Sequence, residues 1–330
     1  MYDEFFNYAR ERQSIHLKKQ AGLPRPWTDD QILDYFKFCS VFREDDRTTI
    51  WLRQNVREQI KGPELLLATI IFRWFNRIST GEAIFAERDI FGDGRTAWEV
   101  FLETKNVGIL REAIVEHCGS GPYVTGAYCI IGIPHMSKLD GILACVKNVL
   151  DFPQPCRIIP GFTSLLWRDV ADHLQANPGR VPLQDVWGWF RLFPRSGDFI
   201  SYEVVTDLYH SHLMRGAPDA LTWANAGPGA IRGLNRIHDR PLDRPPARKE
   251  KANQEMLDIL MASQLPSYWP QYRMGVDHIV TDSEVFVHSQ APLVDQWPRW
   301  DMRTVEHTLC EFDKYNRIQE GGRVRERYRE

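Results

Sequence analysis

The stretch PELLLATIIFRWFNRI, residues 63–78, decides the fold class of this chain. Apolar side chains fall on every face of a helix drawn through it, and proline stands in the first turn, where helices tolerate it. A helix that is apolar on all sides must be surrounded by other elements, so this segment is predicted to be a central core helix. Arg73 and Asn76 interrupt the apolar run, and a buried guanidinium needs partners.

Helical spacing of apolar residues continues on both sides of this segment. Thr28 is the predicted N-cap of a helix whose apolar face runs from Ile32 to Phe42. Strand signals are confined to 123–133 and 277–287, which are β-branched but do not alternate cleanly. We therefore predict a mainly α fold with few or no short strands. Further helices are predicted at 96–106, 107–118, 138–150, 162–175, 183–190, 202–214, 230–238, 249–263 and 302–315.

The length, hydrophobic content and net charge of the chain limit the classes of protein to which it can belong. The chain has 330 residues, of which 43% are hydrophobic, and this is enough to bury a large core. We predict a single domain over 1–330, with a C-terminal extension at about 264–330. No apolar run approaches the roughly 20 residues that cross a bilayer, and no signal peptide is visible, so we expect a cytoplasmic protein without a membrane partner. The net charge of −3 excludes a uniformly basic surface but allows one basic face.

The six cysteines are scattered along the chain. They form no CxxC pair, and no histidines stand at zinc spacing beside them. This pattern is typical of reduced cysteines that are mostly buried, so no metal site is predicted.

A glycine-rich turn at Gly227-Pro228-Gly229 indicates contact with DNA. We predict a helix-hairpin-helix element over about 202–238, in which backbone N–H groups at a helix N-terminus bind phosphate. Arg232 and Arg236 would add positive charge, and Asn225 would read a base or cap the turn. An ordinary turn followed by a solvated helix face is the alternative. The layout is that of a DNA glycosylase-like helical fold, which rotates a nucleotide out of the duplex.

The residues that follow the turn argue against base excision. Glycosylases of this type carry an acid about twenty positions after the hairpin, on a fixed structural path. Here that stretch is a proline-rich loop that contains Asp239 and Asp243. Cleavage of the glycosidic bond is therefore not expected.

Five blocks in order along the chain carry a family resemblance. They resemble the α-glutamyl/putrescinyl thymine pyrophosphorylases, or amino acid:DNA transferases, and the related helical domain of 5-hydroxymethyluracil DNA kinases. The kinases carry a separate nucleotide-binding domain, and this chain has no GxxxxGK[ST] motif, which favours the transferase. The blocks are 38–49, 73–76, 197–208, 226–235 and 309–315.

The resemblance implies a reaction. An amine, either an amino acid or a polyamine, would displace pyrophosphate from 5-(pyrophosphoryloxymethyl)uracil in double-stranded DNA to give a hypermodified thymine of the bacteriophage kind. Cations must then meet the leaving pyrophosphate, and a base must take the proton of the amine. No cofactor is implied with certainty and Mg²⁺ stays open, since adjacent Asp45 and Asp46 would point apart on a helix. No obligate protein partner is evident.

The resemblance also implies roles for residues. Asp207 or Glu311 would be the general base, and the Cys39 thiolate would add to the uracil ring in one variant of the mechanism. Each role competes with a structural alternative: ion pairs for the charged residues and a place in the core for Cys39. The candidates for pyrophosphate and substrate contact are Arg43 and Arg47, taken to lie on one helix face, with Arg73, Asn76, Lys314 and Arg317.

Two other functions fit the same sequence. The chain would be a non-catalytic DNA-binding helical partner of a 5-hydroxymethyluracil DNA kinase, or a divergent DNA glycosylase. The identity of the amine is not encoded in any pattern of the sequence.

Overall fold

The computed structural model describes residues 2–126, 133–151, 154–155, 164–243, 249–270 and 297–322. Within these ranges the chain is mainly helical, which confirms the predicted fold class. The α-helices are α1 Asp3–Gln20, α2 Gln31–Tyr35, α3 Arg47–Leu52, α4 Glu64–Phe75, α5 Ile78–Gly81, α6 Ala97–Thr104, α7 Val107–Cys118, α8 Lys138–Asp151, α9 Trp167–Ala176, α10 Leu183–Phe190, α11 Gly197–Tyr209, α12 Pro228–Ile237, α13 Lys249–Ala262 and α14 Met302–Gln319.

Shorter elements join these helices. A 3₁₀ turn covers Arg43–Asp45, and π-helical turns cover Arg53–Arg57 and Glu82–Ala86. β1 (Gln154–Pro155) pairs antiparallel with β2 (Ser164–Leu165), with Gln154 opposite Leu165. Of the segments predicted as strands, 277–287 lies outside the described residues, as does most of 123–133, and residues 123–126 form no strand.

The chain divides into two compact units. Unit 1 comprises Met1–Asp46 and Ala220–Glu330, and unit 2 comprises Arg47–Asp219. Unit 1 is therefore assembled from the two ends of the sequence, and unit 2 is one continuous segment. The single domain expected over 1–330 stays a prediction.

Helix α4 lies at the centre of unit 2, as predicted. Every residue from Leu65 to Phe75 is buried, and α8, α9 and α11 pack against it. The helix ends at Asn76, which adopts the left-handed conformation with φ 44°, a conformation that asparagine tolerates better than most residues. Although α4 is apolar throughout, no helix in the described ranges is long and apolar enough to cross a membrane.

Helix α1 was not predicted, although the sequence carries a signal for it. Phe5, Ala9 and Arg12 recur at helical spacing on its buried side, and acidic and basic residues stand at its first and last turns. In unit 1, α1, α2, α12 and α13 all pack against α14. The C-terminal helix is therefore the core element of unit 1.

The helix predicted up to Phe42 is wrong in its extent. The side chain of Asp30, not that of Thr28, caps its first turn, and α2 already ends at Tyr35. Arg43 lies in the 3₁₀ turn, Asp46 is extended, and Arg47 begins α3 in unit 2. The prediction that Arg43 and Arg47 share one helix face is therefore wrong, because the helix breaks between them.

The helix-hairpin-helix layout is also wrong in its first half. α11 ends at Tyr209, and residues 210–227 form turns and extended backbone before α12 begins. Gly227 is the N-cap of α12 with a φ of −74°, so it does not use the positive φ that glycine permits. Pro228 in the first turn starts the helix, since proline loses no hydrogen bond there.

Two glycines set the distance between α12 and α14. A Cβ atom at Gly233 would lie 2.5 Å from the backbone oxygen of Leu309, and one at Gly229 would lie 2.9 Å from Cys310 Sγ. Both separations are shorter than real Cβ contacts allow. These glycines therefore bring two protein helices together, whereas the sequence suggested close approach of DNA at Gly229.

The substitution Gly233→Ala should destabilise unit 1. We expect a loss of about 1–3 kcal/mol, because the methyl group meets backbone rather than a movable side chain. Gly188→Ala is the matched control: Gly188 also lies within a helix, and nothing lies within 4 Å of its Cβ position. There alanine should be neutral or stabilising by about 0.5–1 kcal/mol. Urea unfolding followed by circular dichroism measures both, and equal stability of the two variants would contradict this account of the packing.

Candidate functional site

Helix α14 carries two polar faces, each spaced by one helical turn. His307, Glu311 and Lys314 stand at positions i, i+4 and i+7, and they face the segment 37–46. Glu306, Cys310 and Asp313, one position earlier in each turn, face α12. Residues three or four apart share a helix face, so this repeat gives one helix two separate sets of functional groups.

The first face of α14 helps to hold the backbone of four consecutive residues. Lys314 Nζ donates to the Lys37 carbonyl oxygen at 2.6 Å, and the Cys39 N–H donates to Glu311 Oε2 at 2.9 Å. From elsewhere in unit 1, Arg12 donates to the Phe38 carbonyl at 3.0 Å and Asp46 Oδ1 accepts from the Ser40 N–H at 2.8 Å. Side chains thus satisfy backbone groups that a helix would otherwise pair, which explains why α2 stops before this segment.

Acidic, basic and cationic side chains cluster around residues 37–40. Asp46 Oδ2 lies 3.8 Å from His307 Nε2 and 3.9 Å from Arg43 Nη1. Lys314 Nζ lies 3.8 Å from Glu311 Oε2. Burial raises the pKa of the Asp46 carboxyl, while Arg43 and the Ser40 N–H oppose the rise. Carboxylate, imidazole, guanidinium and ammonium groups therefore meet in one place, which we call the 39/311 cluster.

The Cys39 thiol belongs to the 39/311 cluster but is held in its neutral form. Burial raises the pKa of this thiol well above its usual range, and the carboxylates of Asp46 and Glu311 raise it further. A thiolate is the nucleophilic form of cysteine, so this environment disfavours addition of Cys39 to a base ring. Cys39, Cys118, Cys145 and Cys310 are free thiols.

The neighbouring carboxylates of Asp45 and Asp46 turn to different partners. Asp45 Oδ2 lies 3.4 Å from His16 Nε2, whereas Asp46 faces His307 and Arg43. The sequence already suggested that these two side chains point apart.

The second face of α14 engages the residues expected to bind DNA. Arg232 Nε and Arg236 Nε donate to the two oxygens of Asp313 at 2.8 and 3.0 Å, and Arg236 also pairs with Glu320. These contacts balance the positive charge of α12 within the protein.

The N-terminus of α12 is met by a carboxylate of the same chain. Glu306 Oε1 accepts from the Gly227 N–H at 3.4 Å, and Asn225, just before it, is buried. A phosphate at this helix N-terminus would be repelled by Glu306. This geometry argues against a phosphate contact at Gly227 or Gly229.

Unit 2 holds a separate ionic group around Arg73. Its guanidinium donates to both carboxylate oxygens of Asp207, to Asn76 Oδ1 at 2.9 Å and to Thr49 Oγ1 at 3.3 Å. Glu203, one turn before Asp207 on α11, lies 3.9 Å from the same guanidinium. Both ionic partners of Arg73 are buried. The guanidinium thus has the partners that its burial demands, and this geometry favours a structural role for Arg73 and Asp207.

The predicted site residues therefore fall into separate groups. The structure brings Cys39, Arg43, Glu311 and Lys314 together in unit 1, and it pairs Arg73 with Asp207 and Asn76 in unit 2. Arg47 and Arg317 are exposed. The catalytic and binding roles of these residues stay predictions.

Sequence reasoning missed several members of the two groups. His307 stands four residues before Glu311 on one helix, and Glu203 four residues before Asp207. In both cases the one-turn spacing of two functional groups on a predicted helix was a usable signal. Arg12 was missed because α1 itself was not predicted.

The fold and the cluster define a class: a mainly helical protein in which the C-terminal helix carries a mixed acid, base and cation site. The sequence matches the family described as "5-hmdU DNA kinase, helical domain" over residues 1–323, and the chain belongs to that family. It is 23% identical over 335 residues to the 5-hmdU DNA kinase of Bacillus phage SP10. That alignment covers 96% of this chain and 45% of the kinase, so the chain spans less than half of its relative. No solved structure matches the chain.

The ionic group of unit 2 can be tested by a double-mutant cycle. Arg73→Met should cost about 3–5 kcal/mol, because it leaves the carboxylates of Asp207 and Glu203 buried without their cation. Arg73→Met combined with Asp207→Leu should cost less than the sum of the two single changes, with a coupling of about 1–3 kcal/mol. Urea unfolding of the wild type and the three variants gives these values. Additive effects, or an Arg73→Met variant as stable as the wild type, would exclude a structural pair and restore Arg73 as a ligand contact.

Proposed function

We propose that this chain acts on DNA that carries a modified thymine derived from 5-hydroxymethyluracil, and that it replaces pyrophosphate on 5-(pyrophosphoryloxymethyl)uracil by an amine. Membership in the family of the kinase helical domain supports the DNA substrate, since the relative from Bacillus phage SP10 is named for action on 5-hmdU DNA. The transferase chemistry rests on the 39/311 cluster.

One observation carries the proposal: two blocks far apart in the sequence meet in unit 1. Segment 38–49 contributes the backbone N–H of Cys39 and the Arg43 guanidinium, and segment 309–315 contributes the side chains of Glu311 and Lys314. The hydrogen bond from the Cys39 N–H to Glu311 Oε2 joins the two blocks. The side chains needed for a proton transfer and for an anionic leaving group therefore lie around one segment of backbone.

The proposed reaction is a substitution at the exocyclic methylene carbon of the base. The amine nitrogen forms the new C–N bond, and the C–O bond to pyrophosphate breaks with its electron pair leaving on the pyrophosphate oxygen. Arg43 and Lys314 stabilise the charge that gathers there. The surplus proton of the attacking nitrogen passes to Glu311, which acts as general base. These three side chains are only half-buried, so the strength of each electrostatic contribution lies between that in water and that in a protein interior.

Glu311 suits the role of base because its carboxylate can hold the Cys39 N–H with one oxygen and take up a proton with the other. One carboxylate oxygen accepts the Cys39 N–H, which fixes the orientation of the group, and Lys314 lies 3.8 Å from the same oxygen. Neither of these two contacts involves the second oxygen, Oε1. A carboxylate oriented in this way can take up a proton without a large rearrangement.

A second function is supported by the coverage of the relative. The chain corresponds to 45% of the phage kinase, so a helical partner that binds DNA for a kinase would account for the same family membership. Such a protein would bind the modified DNA and leave it unchanged. A divergent glycosylase is the third reading, and it would leave abasic sites.

The assay that separates these functions uses a duplex containing 5-(pyrophosphoryloxymethyl)uracil, incubated with the protein and with glycine, glutamate or putrescine. Nucleosides are then analysed by mass spectrometry, and pyrophosphate is measured in solution. Release of pyrophosphate with an amine-substituted thymidine is the expected result. Retained DNA binding without any change of the base would replace the proposal by the binding function.

The substitution Glu311→Gln should abolish transfer while preserving the fold. Glutamine keeps an oxygen that accepts the Cys39 N–H but cannot take the proton of the amine, so we expect the rate to fall by about 100-fold or more. Glu112→Gln, an exposed change on α7, is the matched control and should retain wild-type activity. Equal activity of both variants would remove Glu311 from the reaction. Circular dichroism checks that each variant is folded.

A further inference from the structure

Three side chains with metal-binding atoms meet beside the proposed base. They are Cys39 from the extended segment, Asp46 from the end of the 3₁₀ turn, and His307 from α14. The sulfur, one carboxylate oxygen and one imidazole nitrogen all lie within 4.8 Å of one another. All three residues belong to unit 1. The proposed transfer reaction uses none of these three side chains.

The separations suit a shared ion better than direct hydrogen bonds. His307 Nε2 and Asp46 Oδ2 are 3.8 Å apart, which exceeds the length of an N–H···O hydrogen bond. Two ligands bound at about 2.1 Å to a tetrahedral ion lie about 3.4 Å from each other. A movement of a few tenths of an ångström would therefore bring this pair onto the edge of a tetrahedron.

The carboxylate of Asp46 supplies a second, independent indication. Its Oδ1 atom accepts from the Ser40 N–H, which fixes the orientation of the group. Its Oδ2 atom is buried and accepts no hydrogen bond within the described parts of the chain. A buried carboxylate oxygen without such a bond is costly, and a bound cation would remove that cost.

We propose that Cys39, Asp46 and His307 bind one divalent transition-metal ion, with Zn²⁺ as the best match. Sulfur and imidazole nitrogen select zinc over magnesium or calcium, which prefer oxygen ligands. Three protein ligands with a fourth position open to water or substrate is the pattern of a catalytic zinc site. The thiol proton of Cys39 leaves to the solvent as the sulfur–metal bond forms, because the ligand is the thiolate.

The charges around the three ligands are mixed. Arg43 Nη1, 3.9 Å from Asp46 Oδ2, repels a cation, and the Arg12 guanidinium adds to this positive field. The negative charge of the Glu311 carboxylate favours a cation at this place, because it interacts electrostatically with both Cys39 and Asp46. With the thiolate and Asp46 as ligands, the two negative charges match those of a divalent ion. Arg43 should therefore weaken the site without abolishing it.

The spacing of the ligands explains why this site was not predicted from the sequence. Zinc motifs are recognised by pairs of ligands two to five residues apart. Here the ligands are at positions 39, 46 and 307, and only the packing of α14 on the first segment of unit 1 brings them together.

The test is a titration of the metal-free full chain with Co²⁺ in the absence of DNA and amine. A cobalt–thiolate site gives a charge-transfer band in the near ultraviolet and visible bands typical of four-coordination. We expect saturation at a single equivalent with a dissociation constant of about 1 μM or tighter, and displacement by Zn²⁺. Absence of the charge-transfer band in the wild type overturns the proposal and leaves Asp46 and His307 as an ion pair only.

Variants assign the band to its ligands. Cys39→Ser should remove it, and Asp46→Asn should weaken Co²⁺ binding by about 100-fold or more while the thiolate band persists at saturation. Cys145→Ser, which changes a buried thiol on α8, is the matched control and should bind as the wild type does. A band that survives in Cys39→Ser, or wild-type affinity in Asp46→Asn, overturns the assignment. Because the readout is metal binding alone, failure of the transferase assay would not affect it.

Discussion

The structure of unit 1 depends on the way four consecutive backbone residues, 37–40, are held by side chains. An extended segment next to a core would leave buried N–H and C=O groups unpaired, which is costly. Lys314, Arg12, Glu311 and Asp46 each satisfy one of these groups. The buried Arg12 and the half-buried Asp46, Glu311 and Lys314 thereby gain hydrogen-bond partners, and the proposed reaction uses Glu311 and Lys314.

Helix α14 makes this arrangement possible because it has two polar faces, whose residues are offset by one position in the sequence. One polar face is turned to residues 37–40. The other is turned to α12, where Gly229 and Gly233 allow the two helices to approach closely. The close approach places Asp313 against Arg232 and Arg236, and Glu306 against the N-terminus of α12. The helix at the centre of unit 1 therefore also positions the side chains to which the proposed reaction assigns roles. The basic residues of α12 are consequently balanced inside the protein.

The sequence was sufficient for the parts of the fold that depend on local pattern. The apolar run of α4 and the bounds of α7, α10 and α13 followed from helical spacing and terminal signals. It failed where long-range contacts override local preference. The stretch 36–42 has helical spacing yet is not helical, because side chains up to 277 positions away pair with its backbone. For the same reason, Gly229 was assigned to DNA although its neighbour is Cys310. The two sequence blocks that contain Cys39 and Glu311 were both identified from the sequence, but the contact between them was not predicted.

The central claim is that the 39/311 cluster in unit 1 is where modified DNA is processed. Hydrogen–deuterium exchange, comparing a duplex that carries 5-(pyrophosphoryloxymethyl)uracil with the same duplex unmodified, tests this most directly. The account predicts that the difference in protection is concentrated in residues 37–46 and in α14. A difference confined to unit 2, around α4 and α11, would contradict it and would move the site to the Arg73 group.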